Sequence, residues 1–251
     1  MRTTLPILVS LLISLPAMAG KKDGNEVLAL LDAALNRHKD QHFIYDLITQ
    51  EPGKEKRVIK MDVRVKGSQK RRTDFTAPGD VKGMKALVLS KAKTYIYLPA
   101  YRKVRRLARH TEKQSFMGTT FSQNELSMTT YGDAYNGKIL KETATHWKVE
   151  GLPKDPETAP IPRLEFDIRK DLHHASEIRY YNKQGVKTKT ETRTGYTCKP
   201  TDAGQVCNFA ESKMVSHIRN GTWSKFVRKE WEVNTGVKDS FFSLRVLQRG
   251  R

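Results

Sequence analysis

The sequence predicts a mainly β protein with a few helices, an α+β chain built on a single large antiparallel sheet. Three observations carry that expectation. Apolar and polar residues alternate with period two in run after run, turn residues separate the runs, and one amphipathic helical stretch precedes them.

Residues 1–19 read as a secretory signal peptide. Arg2 supplies a positive start, Leu5 to Leu15 a short apolar run, and Ala17-Met18-Ala19 a small-residue cleavage pattern before Gly20. The run is shorter than the ~20 residues of a spanning helix. Export with cleavage after Ala19 is therefore expected over retention as a membrane anchor. No Cys follows the run, which argues against a lipid-modified N-terminus, and no later segment is apolar enough to span a membrane. Residues 20–251 fit one domain of sandwich or barrel size.

The helix comes first. Asn25 is its expected cap, and Val27, Leu28, Leu31, Ala34 and Leu35 recur at helical spacing. Arg37, His38 and Lys39 follow at its C-terminal end, where the helix dipole favours cations. The strand patterns come next. Ile59, Met61, Val63 and Val65 alternate with charged residues, as do Leu164, Phe166 and Ile168. Trp223, Val227, Trp231 and Val233 share one parity, opposite Ser224, Arg228, Glu230 and Glu232. Each run predicts a strand with one wet and one apolar face. Turn signals stand at Pro52-Gly53, Gly67-Ser68, Pro78-Gly79, Gly132-Asp133, Asn136-Gly137, Asn182 to Gly185, and Asn220-Gly221. Together these predict an antiparallel meander of on the order of ten strands. A second helical piece is expected around Phe121 to Met128, and a proline-rich loop from Gly151 to Pro162. Such a sheet can close into a barrel, or curl and take helices in its mouth. The amphipathic helix favours the second, and the space beneath it would be an apolar cavity.

Cys198 and Cys207 flank a stretch that contains Pro200, Asp202 and Gly204. In an oxidising compartment they read as a disulfide stapling a hairpin, with free thiols the alternative. A metal site would need further ligands. The chain carries 46 Lys and Arg against 27 Asp and Glu, a formal charge of +19. That field favours anionic lipid or an acidic protein, or serves solubility alone. Export disfavours nucleic acid as a partner.

No catalytic apparatus is legible. There is no Gly-x-Ser-x-Gly elbow and no prominent carboxylate pair. His173 and His174 read as surface histidines at a strand connection, and His146 and His217 lack ligand partners at metal spacing. No enzyme, cofactor or metal is expected.

The richest stretch is Tyr95 to Leu107, an aromatic strand, a proline turn at Pro99 and a strand loaded with Arg102, Lys103, Arg105 and Arg106. Alternation sends at least one arginine to the side that carries Val104. Near a cavity it would need a carboxylate, a carbonyl or a ligand headgroup; the alternative is a solvated edge strand blunted by charge. Phe116 and Met117 suit acyl chains, or a loop plugging the core. Aromatic beside basic is the chemistry of a surface for something greasy with an anionic end.

These residues also carry a resemblance. Tyr97-Leu98-Pro99, the basic run Arg102 to Leu107, and Ser115-Phe116-Met117-Gly118 with Phe121, Ser122 and Leu126 resemble the signature of the outer membrane lipoprotein-sorting family, the LolA-like periplasmic carriers. Arg72 to Gly83 and Asp239-Ser240-Phe241-Phe242 are similar to further segments of that family. The likeness is dense over about residues 70–126 and collinear beyond them. It implies a half-open β-barrel with helices in its mouth, sheltering acyl chains of a lipoprotein or lipid in the periplasm. Some relatives are thought to work beside lipid-exporting transporters, and a similar fold serves stress-sensing regulators.

The expected function is a monomeric periplasmic carrier, with an inner-membrane transporter as donor and an outer-membrane acceptor. Its ligand-binding candidates are Phe43, Tyr45, Ile59, Met61, Val63, Tyr95, Tyr97, Phe116 and Met117, with Arg105 or Arg106 meeting a headgroup. The alternative is a scaffold or sensor that docks on an acidic partner through its basic face. A hydrolase acting on envelope material ranks third.

Overall fold

A computed structural model describes residues 22–90, 93–107, 114–157, 159, 161–219 and 221–249. The signal peptide expected at 1–19, and the positions of Pro160 and Asn220, lie outside them.

The first eight strands are β1 (Asp40–Gln50), β2 (Arg57–Lys66), β3 (Lys70–Ala77), β4 (Lys85–Ser90), β5 (Lys93–Leu98), β6 (Lys103–Arg106), β7 (Tyr135–Glu142) and β8 (His146–Pro153). The other seven are β9 (Arg163–Arg169), β10 (Ala175–Tyr181), β11 (Lys187–Thr194), β12 (Thr197–Thr201), β13 (Gly204–Asn208), β14 (Glu211–Ser216) and β15 (Trp223–Val233). Three helices accompany them: α1 (Gly24–Leu35), α2 (Gln123–Ser127) and α3 (Leu244–Arg249). Thirteen strands form one sheet in the order β6-β5-β4-β3-β2-β1-β15-β14-β11-β10-β9-β8-β7, while β12 and β13 pair separately. Neighbours run antiparallel, and the sheet is not closed into a barrel. The expected ten or so strands become fifteen among the described residues because several, such as the four-residue β6, are too short to show a period.

The apolar face is the one that alternation predicts. Phe43, Tyr45 and Leu47 of β1, Ile59, Met61, Val63 and Val65 of β2, and Leu164, Phe166 and Ile168 of β9 are buried in one cluster. Val27, Leu28 and Leu31 of α1 join it. Full burial of such a side chain contributes about 1.5–3 kcal/mol, so this stripe holds the helix on the sheet.

Several local readings change. The cap of α1 is Asp23, not Asn25. Asp23 Oδ1 accepts the Glu26 N–H at 2.8 Å, and Glu26 Oε2 accepts the Asp23 N–H at 2.8 Å, a capping box. Asn25 instead accepts the Gly137 N–H at 2.8 Å. The helix ends at Leu35, before Arg37, His38 and Lys39. Asn136-Gly137 is not a turn; it lies inside β7. A Cβ on Gly137 would sit 2.2 Å from the Gly24 carbonyl oxygen, so glycine there serves a close backbone approach.

In β15 the parity of the apolar residues switches. Ile44 pairs with Glu230 and Tyr45 with Arg228, which leaves Lys229 in a bulge. Trp231 therefore faces the core beyond the bulge, while Phe226 and Ser224 face it before. Trp223 lies on the other side, with Lys213 Nζ 4.8 Å from its ring centre. His174 is not a surface histidine: it is buried against Tyr196, and burial pushes its pKa down to about 4. The proline-rich loop begins later than expected, because residues 151–153 belong to β8.

The expected disulfide is present, joining Cys198 and Cys207 directly across the β12–β13 hairpin. Arg37 Nη1 donates to the Gln205 carbonyl at 3.0 Å and ties that hairpin to the end of α1. At the other end of the chain, Phe242 and Leu247 bury against Leu87. Ala86, next along β4, packs on the main cluster, so the C-terminal segment covers the opposite sheet face.

The glycine contact gives a direct test. Gly137→Ala should lower stability in urea unfolding by roughly 1–3 kcal/mol, the cost of overpacking. Gly79→Ala, whose added methyl meets nothing within 4 Å, should stay within about 0.5 kcal/mol of the parent. Equal unfolding curves for the two variants would contradict the close approach.

Candidate functional site

The sheet's apolar face has three covers: α1, the β12–β13 hairpin and residues 114–131. Between them and the sheet lies a cavity of about 230 Å³. β1 contributes Phe43 and Tyr45, β2 contributes Met61, Val63 and Val65, and β15 contributes Phe226. The covering segment adds Phe116, Phe121, Leu126 and Met128. The aromatics are in mutual contact: Phe121 stands edge-on to Phe226 with ring centres 4.9 Å apart, and Phe43 stacks on Tyr45 at 5.0 Å.

Polar ties hold the covering segment down. Ser122 caps α2 and forms a capping box with Glu125. Glu125 then reaches across to Lys189 of β11, with Nζ 2.8 and 3.0 Å from its two carboxylate oxygens. The Thr120 hydroxyl donates to the Met214 carbonyl at 3.1 Å, and its backbone N–H donates to Ser224 Oγ at 2.9 Å. Asn36 Nδ2 donates to the Thr129 carbonyl at 2.8 Å, and Arg71 Nη1 donates to the Leu126 carbonyl.

Ionisable groups line the cavity as well. Glu191 is buried, and it accepts from Arg193 Nε at 2.7 Å, Ser212 Oγ at 2.7 Å and the Tyr180 hydroxyl at 2.6 Å. Burial works to raise its pKa, but Arg193 and the hydrogen bonds outweigh it and hold the carboxyl low. Burial pushes the Tyr131 phenol up to about 12 and the Tyr45 phenol higher still. Arg71 is half-buried at the cavity wall, and desolvation lowers its pKa. His38 is 7% exposed, and neither ring nitrogen finds a partner in good hydrogen-bond geometry, although the Leu35 and Gly67 carbonyls face it.

Of the residues expected to bind, Phe43, Tyr45, Met61, Val63 and Phe116 come together in the cavity wall. Ile59 lies deeper in the core. Met117 packs against the same core but does not line the cavity, and its carbonyl accepts from Arg57 Nη1 at 3.0 Å. Tyr95 and Tyr97 face the other way, towards Phe242 and Leu247, and do not reach the cavity. Apolar residues fill both parities of Tyr95 to Leu98, so alternation could not orient them. Arg105 and Arg106 are exposed on the edge strand β6, and Val104 turns to the C-terminal cluster. The arginines of the cavity are Arg71 and Arg193 instead. Arg71 was legible, since it shares parity in β3 with buried Phe75 and pairs with Val65. Arg193 was not, because its side of β11 reads Lys187, Lys189, Glu191 and Arg193, with no apolar residue to mark a buried face.

The Arg193–Glu191 pair should be structural. Glu191→Ala leaves the guanidinium without its carboxylate and should cost about 3–5 kcal/mol in urea unfolding. Replacing both residues by apolar ones of similar volume should recover most of that loss. A Glu191→Ala variant as stable as the parent would contradict the buried network.

A family model described as "-like: Uncharacterized protein" matches residues 67–249, more than half of the chain. No curated protein matches. Among solved structures, a domain from Vibrio parahaemolyticus described as an outer membrane lipoprotein-sorting protein is similar over 90% of this chain and 98% of its own, with TM-score 0.79 and 22% identity. A DUF1329 family protein from Desulfovibrio piger is similar over 90% and 100%, with TM-score 0.79 and 19% identity. A LolA superfamily protein from Nitrosomonas europaea is similar over 90% and 99%, with TM-score 0.72 and 13% identity. The chain thus belongs to the family whose model spans residues 67–249, and its fold is the LolA-like fold of outer membrane lipoprotein-sorting proteins.

Proposed function

We propose that this chain is a periplasmic carrier that shelters acyl chains of a lipid or lipoprotein and moves them towards the outer membrane. It acts by binding and has no enzymatic step. In this reading residues 1–19 are removed on export, residues 20–251 form one binding domain, and the sheet curls as a half-open barrel with the covering segments in its mouth. An inner-membrane transporter would load it and an outer-membrane acceptor would unload it.

The observation that carries the reading is the cavity itself, an apolar-walled space between a sheet face and a polar-tied cover. At about 30 Å³ per water-sized group, 230 Å³ holds roughly eight methylene-sized groups. At about 0.8 kcal/mol each they contribute roughly 6 kcal/mol. Before ordering costs that corresponds to a Kd on the order of 10–100 μM. Reversible binding of that strength suits a carrier that must release its cargo.

A second reading, a scaffold or sensor docking on an acidic partner, draws on the exposed basic edge strand β6 and the 66%-exposed Tyr101 beside it. The two readings separate in one assay. A neutral apolar fluorophore such as N-phenyl-1-naphthylamine should bind saturably. Val63→Asp should weaken that binding at least tenfold, since it desolvates a charge in the wall. Charge reversal at Lys60, Arg64 and Lys66 should leave it unchanged. Non-saturable binding, or a Val63→Asp variant that binds like the parent, would sink the carrier reading.

A further inference from the structure

The charges around the cavity do not balance. Glu191 pairs with Arg193, and Glu125 with Lys189. Arg71 has no carboxylate partner among the described residues; its hydrogen bond is to the neutral Leu126 carbonyl. A guanidinium stays charged at every accessible pH and carries five N–H donors. Half-buried at the cavity wall without an anion, it is a ready partner for one that reaches it.

Two further groups stand on the same wall. The His38 imidazole is buried there, facing the Leu35 and Gly67 carbonyls without good hydrogen-bond geometry, and Arg71 is close enough to depress its proton affinity. Asn36 spends its amide N–H groups on the Asp32 and Thr129 carbonyls, at 2.8 Å each, and leaves Oδ1 buried without a donor. The site therefore offers a fixed cation, an imidazole able to donate or accept, and an acceptor for an O–H group. Unsatisfied buried polar groups are uncommon, and together they mark a place for a polar ligand group. The volume sets the other bound. A cavity of about 230 Å³ is below the 300–1,000 Å³ usual for ligand sites, too small for three acyl chains.

We infer that the cavity takes a single-chain amphiphile whose anionic head, a carboxylate or a phosphate, binds inside against Arg71 with His38 beside it. The first methylenes of the tail then lie along the apolar wall of Phe43, Met61 and Phe226, and the remainder of a longer tail extends beyond the cavity. This rests on the carrier reading and narrows its cargo to acidic single-chain lipids.

Competition against the neutral fluorophore at pH 8 tests it, using palmitate, methyl palmitate, hexadecyl phosphate and hexadecanol. On the unmodified protein, palmitate or hexadecyl phosphate should compete at least tenfold better than the ester and the alcohol, as expected for a charge-assisted pair. The stronger of the two acids identifies the head. Arg71→Met should abolish the advantage of the acids over the ester, read as the ratio of their competition constants on the same variant, while Arg71→Lys should keep part of that ratio. If the four compounds compete equally on the unmodified protein, the headgroup site is wrong and the carrier reading stands. If the fluorophore binds and no compound displaces it, the headgroup site is likewise wrong. If the fluorophore does not bind either, both readings fall together.

Discussion

A sheet of thirteen antiparallel strands presents more apolar surface than one long helix and two short ones can cover. That mismatch governs the rest of the molecule. The C-terminal segment seals part of one face with Phe242 and Leu247. On the main face, α1, the disulfide-linked hairpin and residues 114–131 share the task, and they meet imperfectly. The remaining gap is the cavity.

The covers are fastened differently. α1 is held by fully buried Val27, Leu28 and Leu31 and by the backbone contact between Gly24 and Gly137. Residues 114–131 bury Phe121 and Tyr131 in the same core and add hydrogen bonds to the sheet at Thr120, Glu125 and Leu126 and to the β2–β3 turn at Thr129. Each such hydrogen bond contributes a net ~0.5–1.5 kcal/mol. Apolar and polar contacts together hold this cover on the sheet. Arg71 sits where the two meet: it ties down the Leu126 carbonyl and also faces the cavity.

Much of this was legible in the chain. Alternation located β2 and β9 and oriented their core faces, which placed Met61 and Val63 on the apolar side. Cysteine spacing located the hairpin staple. The misreadings have physical causes. Trp223 and Val227 were placed on the face of Trp231 because a bulge at Lys229 inverts parity without changing composition. Gly137 resembled a turn because glycine serves both turns and close backbone approach. Tyr95 and Tyr97 were sent to the cavity because a strand apolar on both parities does not announce its facing; the C-terminal segment, distant in sequence, claims them. The cavity arginines come from strands that looked polar. Arg71 shares parity with buried Phe75, but only pairing across the sheet sets the Glu191–Arg193 side of β11 against buried Met214 and Ser212.

The central claim is that this space exists to hold one amphiphile. Native mass spectrometry of the protein, expressed from residues 1–251 and purified without detergent, tests it most directly. The account predicts a population heavier than the bare polypeptide by the mass of one acidic single-chain lipid, and the loss of that mass under denaturing organic solvent. A spectrum containing bare polypeptide alone, unchanged after incubation with an excess of palmitate and hexadecyl phosphate, would contradict it.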